Sequence, residues 1–289
     1  KVYLPSTRET MAALLQAHPD ARFVAGSTDL SLEYTQQLKT FPTLISTTRV
    51  KECRELKVDE QAVTVGAALP LSDIAPVLHE HFPQLHELID RFASLPIRNQ
   101  ATLGGNVANA SPIGDMPPVL LALNASVIID NGSEYREVPA GEFFTGYRQT
   151  VLADKEWISA IRFNRMDEKT QLKAYKVSKR HEDDISAVCA VFTVTLDNGS
   201  VSAISSGFGG VAATPVSCEK LEQRLRGKIW NEQSTRQLGM EILAEAFSPI
   251  DDVRASASYR KQILANLWQR FWFETQSELL ATTRVTAYA

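Results

Sequence analysis

The sequence predicts an α+β protein of two lobes with different characters. Short strand and helix patterns alternate through the first 165 residues. After residue 170 a run of strands gives way to a run of helices, the order expected of an α+β unit. A charged, polar connector, Met166–Thr170, lies between the two patterns. The chain has 289 residues, 44% of them hydrophobic and 22% charged. That exceeds the ~100–200 residues of a common domain and is ordinary for a protein with a sizeable buried core.

In chain order, Ser6 or Thr7 can cap a first helix carrying Met11, Leu14, Leu15 and His18 on one face. Pro19-Asp20 ends it, and Arg22–Ala25 reads as a short strand. Gly26-Ser27-Thr28-Asp29 forms a turn, and Leu30, Tyr34 and Leu38 set the apolar side of a second helix. A strand at Thr43–Ser46 closes this small α/β lobe. Ala62–Val65 is a strand ending at Gly66, Ser72 precedes a helix, and Pro83 starts another that runs to Phe92. Ala93–Pro118 is a long stretch rich in Gly, Asn, Ser and Pro, with little charge. Such a stretch in a compact domain is functional rather than solvated disorder. Pro118–Ala125 reads as a buried helix; Val127–Asp130, Glu134–Val138 and Trp157–Phe163 read as strands. Beyond the connector, strands are expected at Leu172–Val177, Ser186–Leu196 and Val201–Phe208, with Asp197-Asn198-Gly199 as a hairpin turn. Helices follow at Ser217–Arg226, Asn231–Ala246 and Ser258–Phe273.

A net charge of −4 gives no basic field of the kind that grips nucleic acid. The longest apolar run, Val119–Ile129, is far short of the ~20 residues that span a bilayer. The start has no signal-peptide character. Cys53, Cys189 and Cys218 are scattered, so they form neither a secreted disulfide framework nor the four-thiolate set of an iron–sulfur cluster. A reducing cytoplasm is the expected compartment. The chain opens on Lys1 without an initiator Met, which suggests an excised part of a longer polypeptide.

Two loops carry the candidate chemistry. In Ala101–Pro118, Gly104-Gly105 allows close backbone approach, Thr102, Asn106, Asn109 and Ser111 supply short polar groups, and Asp115 is the only charge. This suits a phosphate or a flat heterocycle, although a buried connector would look similar. In Val24-Ala25-Gly26-Ser27-Thr28-Asp29-Leu30 a strand ends, a glycine turns and hydroxyls open a helix, an anion site in kind. One glycine makes neither a Walker loop nor a dinucleotide fingerprint. In Lys173–Asp184 a strand would point Lys176 opposite to Tyr175, and the mixed charges also fit a solvated loop. His181 among acids is a poor metal site, and His18, His79, His81 and His86 read as structural or surface residues. His79-x-His81 lacks the helical ligand spacing. No nucleophile-elbow serine is present. These residues alone give a two-lobed protein with a phosphate-bearing ligand.

At these residues the chain resembles the FAD-binding portion of the xanthine dehydrogenase family of molybdenum hydroxylases. The resemblance rests on Val24–Leu30, on Ile97-Arg98-Asn99 running into Thr102–Pro118, and on Lys176–Ile185. Phe143-Phe144-x-Gly146-Tyr147-Arg148, Gly207–Ala212 and Tyr259-Arg260 also fit. Ser111, where carbon monoxide dehydrogenases usually carry an acid, favours the xanthine dehydrogenase branch. Ser27 stands where the family often has Asn, and Pro96 where it usually has Gln.

The resemblance implies a vanillyl-alcohol-oxidase (PCMH) type FAD-binding domain over residues 1–165, with a small lobe to about 52 and a larger lobe over 53–165. A C-terminal α+β domain over 171–280 would hold a three-stranded antiparallel sheet flanked by helices. It also implies FAD contacts for Val24, Ala25, Gly26, Ser27, Thr28 and Asp29, and for Phe92, Thr102, Gly104, Gly105, Asn106, Asn109, Asp115, Ile158 and Lys176. The pyrophosphate would lie on 26–29 and on the 102–106 turn, and Phe92 near the isoalloxazine. Lys176 is the candidate for stabilising the reduced flavin, and Arg148 for steering the phosphates of NAD. The implied activity is an oxidoreductase step in which the flavin takes electrons from [2Fe–2S] clusters and passes hydride to NAD. The clusters and the molybdenum cofactor are expected on a partner iron–sulfur domain and a molybdenum-binding subunit, within a dimeric assembly. A sister enzyme acting on an aldehyde, nicotinate, carbon monoxide or an aromatic acyl-CoA, or a non-turning-over FAD-binding module, remains open.

Overall fold

The computed structural model describes residues 1–276. The last four residues of the expected C-terminal domain, 277–280, lie outside them. The small lobe is a parallel three-stranded sheet, order β1-β3-β2, of β1 (Val2–Tyr3), β2 (Arg22–Val24) and β3 (Leu44–Ser46). It carries α1 (Arg8–Ala17) and α2 (Leu30–Thr35). Thr7 caps α1 by accepting from the Thr10 amide, and Met11 and Leu15 are its buried face. They pack with Ile45, Val50, Cys53, Ala68 and Trp157 into a small core.

The larger lobe is a five-stranded antiparallel sheet, order β4-β5-β10-β6-β7. Its strands are β4 (Leu56–Val58), β5 (Ala62–Gly66), β6 (Ser126–Asp130), β7 (Tyr135–Pro139) and β10 (Trp157–Asn164). Between β5 and β6 run α3 (Leu71–His81), α4 (His86–Asp90), α5 (Leu95–Arg98), α6 (Leu103–Ala108) and α7 (Met116–Ala122). α8 (Ala140–Phe143) and the ribbon of β8 (Phe144–Gly146) and β9 (Gln149–Thr150) follow β7. Every residue of α7 is buried.

After the connector, β11 (Thr170–Val177), β12 (Val188–Asp197) and β13 (Ser200–Gly209) form an antiparallel meander. Asn198 and Gly199 join β12 to β13 with φ of 48° and 79°, the left-handed pair that a two-residue hairpin requires. α9 (Glu219–Leu225), α10 (Gln233–Glu245) and α11 (Ala257–Glu274) cover the sheet. Phe192, Phe208, Trp230, Trp268 and Phe271 form an aromatic core beneath them.

Four local expectations differ. Ala93–Pro118 is not one long loop: α5 and α6 lie within it. α6 forms in spite of Gly104-Gly105, which are poor helix formers, because Thr102 caps it and Pro70 bridges to Thr102. α2 stops at Thr35, so Leu38 lies beyond it, and Tyr34 and Leu38 are exposed. Neither Ser27 nor Thr28 caps α2; Asp29 holds the cap position without a side-chain bond. Ser72 lies inside α3, and its hydroxyl donates to Asn99 Oδ1.

Candidate functional site

The two loops nominated from sequence meet. A Cβ built at Gly26 would collide with the backbone carbonyl of Gln100. Only glycine lets the end of β2 lie on the segment entering α6. Ser27 then takes φ 61°, the left-handed region, and is exposed. Among the described residues, the amides of Ala25, Gly26, Ser27, Thr28 and Asp29 have no hydrogen-bond acceptor. Five consecutive unpaired donors on a partly exposed loop form an anion cradle built from backbone alone, with the exposed Asp29 carboxylate as the one side-chain charge in the run.

The α6 turn is arranged differently. Leu103 donates to Leu69 O, Gly104 to Ala67 O, Gly105 to Thr102 Oγ1 and Asn106 to Thr102 O. Its first amides are therefore already satisfied, and its free donors are the amide and hydroxyl hydrogen of Thr102. A Cβ at Gly104 would lie 2.5 Å from that of Ala67, so this glycine serves packing. Gly105 is exposed and meets only the Thr102 hydroxyl, so this glycine leaves the surface open to a ligand.

Asp115 and Lys176, predicted as separate ligand contacts, pair with each other. Lys176 Nζ lies 2.7 Å from Asp115 Oδ2, with side chains only 2% and 7% exposed. Ser186 Oγ donates to Asp115 Oδ1. Tyr175 points the opposite way, into the aromatic core, as strand alternation requires. Lys176 thus enters the site with its charge already balanced.

Asn106 Oδ1 accepts from the Met116 amide at 3.2 Å, fixing the far side of the loop. Arg148, exposed at φ 53°, donates to Asn109 Oδ1 at 3.4 Å. Phe92 is half-buried against the larger core. Ile158 is buried within that core beside a β-bulge. Val24 is the last residue of β2 and sets the direction of the amide run.

Three residues escaped the sequence reading. Ser186 binds Asp115, and Gln100 receives Gly26. Arg91 donates to the carbonyls of Lys176 and His181 and to Ser178 Oγ. Its position beside Phe92 was the one available signal; its partners are 85 to 90 residues away. The three cysteines are buried and free. Burial pushes the Cys53 thiol up to about 12, and burial followed by Asp115 pushes Cys189 well above its ordinary value. Thiols held protonated in this way are poor metal ligands at neutral pH. A concavity of about 310 Å³ lies on the sheet around Thr64, Tyr135 and Ser159, and no nominated residue lines it.

Comparison with known proteins identifies the family. Residues 1–164 match the FAD binding domain in molybdopterin dehydrogenase. The chain belongs to that family. Residues 173–275 match the CO dehydrogenase flavoprotein C-terminal domain. The xanthine dehydrogenase of Emericella nidulans is 31% identical over 97% of this chain and 22% of its own length. A nicotinate hydroxylase of the same organism is 37% identical over 73% of this chain and 15% of its own. The chain spans about a fifth of the length of the curated xanthine dehydrogenases it matches. Among solved structures, the carbon monoxide dehydrogenase from Hydrogenophaga pseudoflava superposes with a TM-score of 0.88 at 25% identity, covering 93% of this chain and 94% of that one. The quinoline 2-oxidoreductase of Pseudomonas putida 86 shares the fold, with a TM-score of 0.85 at 23% identity over 95% of each chain. The chain therefore carries both domains of a flavoprotein module of the molybdopterin dehydrogenase type. Among the described residues, no helix is long and apolar enough to cross a membrane.

Proposed function

We propose that the chain is the electron-exit part of a xanthine dehydrogenase-type molybdenum hydroxylase, with NAD as acceptor. The observation that carries this reading is the run of unsatisfied amides from Ala25 to Asp29, locked against Gln100. Such a row suits the pyrophosphate of FAD, which backbone amides can hold by hydrogen bonds. FAD, when bound, supplies the exchange between single electrons and hydride.

The protein's own groups bind and orient. Residues 24–29 hold the diphosphate, with the Thr102 hydroxyl beside them. Gly105, bare of side chain, lets the ligand lie against α6; Gly104 and Asn106 fix the shape of that turn. Phe92 and Ile158 supply apolar surface. Asn109 and Asp115 fix the polar edge, and Lys176, held by Asp115, places a positive charge that cannot drift. The exposed guanidinium of Arg148 sits where it can meet the phosphates of NAD. Partners are an iron–sulfur domain and a molybdenum-binding subunit, in a dimeric cytoplasmic enzyme. The likeness to curated xanthine dehydrogenases supports the branch.

The test is reconstitution with FAD, followed by NADH-driven dye reduction. Yellow protein with activity well above free flavin is expected. Gly105→Val should lose cofactor, because its new side chain would occupy the open surface of α6 and its Cβ would press on the Thr102 hydroxyl, 2.9 Å away; a melting curve of the variant separates loss of the ligand surface from loss of the fold. Protein that stays colourless with excess FAD overturns the reading. The identity to a nicotinate hydroxylase supports a second substrate class, which the residues of the molybdenum-binding partner would decide.

A further inference from the structure

Three side chains that the flavin site does not use converge on the surface between α3 and α4. They are His79 near the end of α3, and His86 and Asp90 at the two ends of α4. Their ligand atoms all lie within 4.8 Å of one another. His86 Nδ1 is 3.0 Å from Asp90 Oδ2, and His79 Nε2 is 4.0 Å from Asp90 Oδ1. The two imidazoles stack with centroids 4.1 Å apart. His79 Nε2 is shielded from solvent and has no hydrogen-bond partner. A shielded ring nitrogen left unpaired beside a carboxylate calls for a physical explanation.

We propose that His79 Nε2, His86 Nδ1 and the Asp90 carboxylate form a binding site for a divalent cation of the zinc class. Two imidazoles and one carboxylate are the donors that zinc favours, whereas calcium and magnesium favour oxygen alone. Bonds of ~2.0–2.2 Å place the donors of a tetrahedral site about 3.4 Å apart. The observed separations, 3.0 Å from His86 to one Asp90 oxygen and 4.0 Å from His79 to the other, lie on either side of that edge. His86 and Asp90 are exposed and free to turn the remaining distance. The i, i+4 spacing of His86 and Asp90 puts both on one side of α4. The sequence reading tested only His79-x-His81, and so missed a site completed across two helices. α4 leads directly into Arg91, whose guanidinium grips the Lys176 carbonyl. An ion here would clip α3 to the segment that steadies the Lys176 strand.

The test is titration of the full chain with Zn²⁺ by calorimetry, with thermal melting alongside. One equivalent should bind and raise the melting temperature. His86→Gln and Asp90→Asn, both at exposed positions, should each weaken binding by about tenfold or more and abolish the thermal shift. His18→Gln, in the small lobe where the ring stacks on Tyr3, should leave both unchanged. No binding, or binding unaltered by His86→Gln and Asp90→Asn, overturns the site. FAD loading is measured separately in each variant and does not enter the outcome.

Discussion

Lys176 and Asp115 show how one contact can change a residue's role. A lysine charge in a ligand site would ordinarily be available to the ligand. Here it is buried, paired and braced by Ser186, so much of its electrostatic value is committed before a ligand arrives. A buried pair gains little net stability over an apolar substitute, but breaking one side leaves a lone buried charge. Lys176→Met or Asp115→Asn alone should therefore cost about 3–5 kcal/mol. The double change Lys176→Met with Asp115→Asn should cost clearly less than the sum. Urea denaturation of the cofactor-free chain reads both; strictly additive losses would remove the coupling. The cysteines give a simpler check. Buried thiols with raised pKa values are not thiolates at neutral pH, so a thiol reagent should find none in the native protein and all three after unfolding. A native thiol reacting at the rate of a free one would contradict the burial.

Among elements, α11 is anchored by an interaction that its sequence pattern does not reveal. Arg260, buried in the first turns of α11, donates to the Gly210 carbonyl just past β13 and to Asp252 Oδ1, each at 2.6 Å. Burial alone would raise the Asp252 carboxyl, but the amides of Arg254 and Ala255 and the Arg260 guanidinium overcome it and hold the pKa down to about 2. Its folded value lies below the ordinary one, so the stabilisation is complete above pH ~4 and is lost as pH falls through about 2. On the order of 2 kcal/mol should disappear across that window. Asp252→Asn should lower stability at neutral pH and flatten the acid limb; an unchanged limb would show that Asp252 is not the group titrating. Elements of this kind divide cleanly into legible and hidden. The Asn198-Gly199 hairpin and the Thr7 cap were readable because local backbone geometry demands those residue types. α6 was not, since two glycines argue against a helix that only the Thr102 cap and the Pro70 bridge make stable. The Leu30, Tyr34, Leu38 stripe misled because spacing records a potential apolar face, not whether anything covers it. In the site, glycines announced both loops. The Asp115–Lys176 pair, 61 residues apart, could not be seen without the meander that brings them together.

At the scale of the whole molecule, the connector at 166–170 does not divide two independent bodies. Leu172, Cys189 and Val191, from β11 and β12, belong to the same apolar core as α7 and the five-stranded sheet. β13 presents Gly207 to α7 itself and Gly209 to the loop entering it: a Cβ at Gly207 would collide with the Pro118 carbonyl, and one at Gly209 would lie 3.3 Å from the Pro112 carbonyl. Gly210 donates its amide to that same carbonyl at 2.7 Å. α7 is thus buried by contributions from both sides of the connector, and Lys176 reaches Asp115 across the same boundary. Cooperativity should follow from this shared core. The whole chain is expected to melt in one calorimetric transition. Gly207→Val should lower its midpoint by forcing backbone apart, an overpacking cost of about 1–3 kcal/mol or more. A fragment of residues 1–168 has lost one wall of α7 and the partner of Asp115, so it should neither fold natively nor take up FAD. If that fragment melts cooperatively and loads flavin like the full chain, the shared core contributes packing without coupling, and the two family matches describe separable units after all.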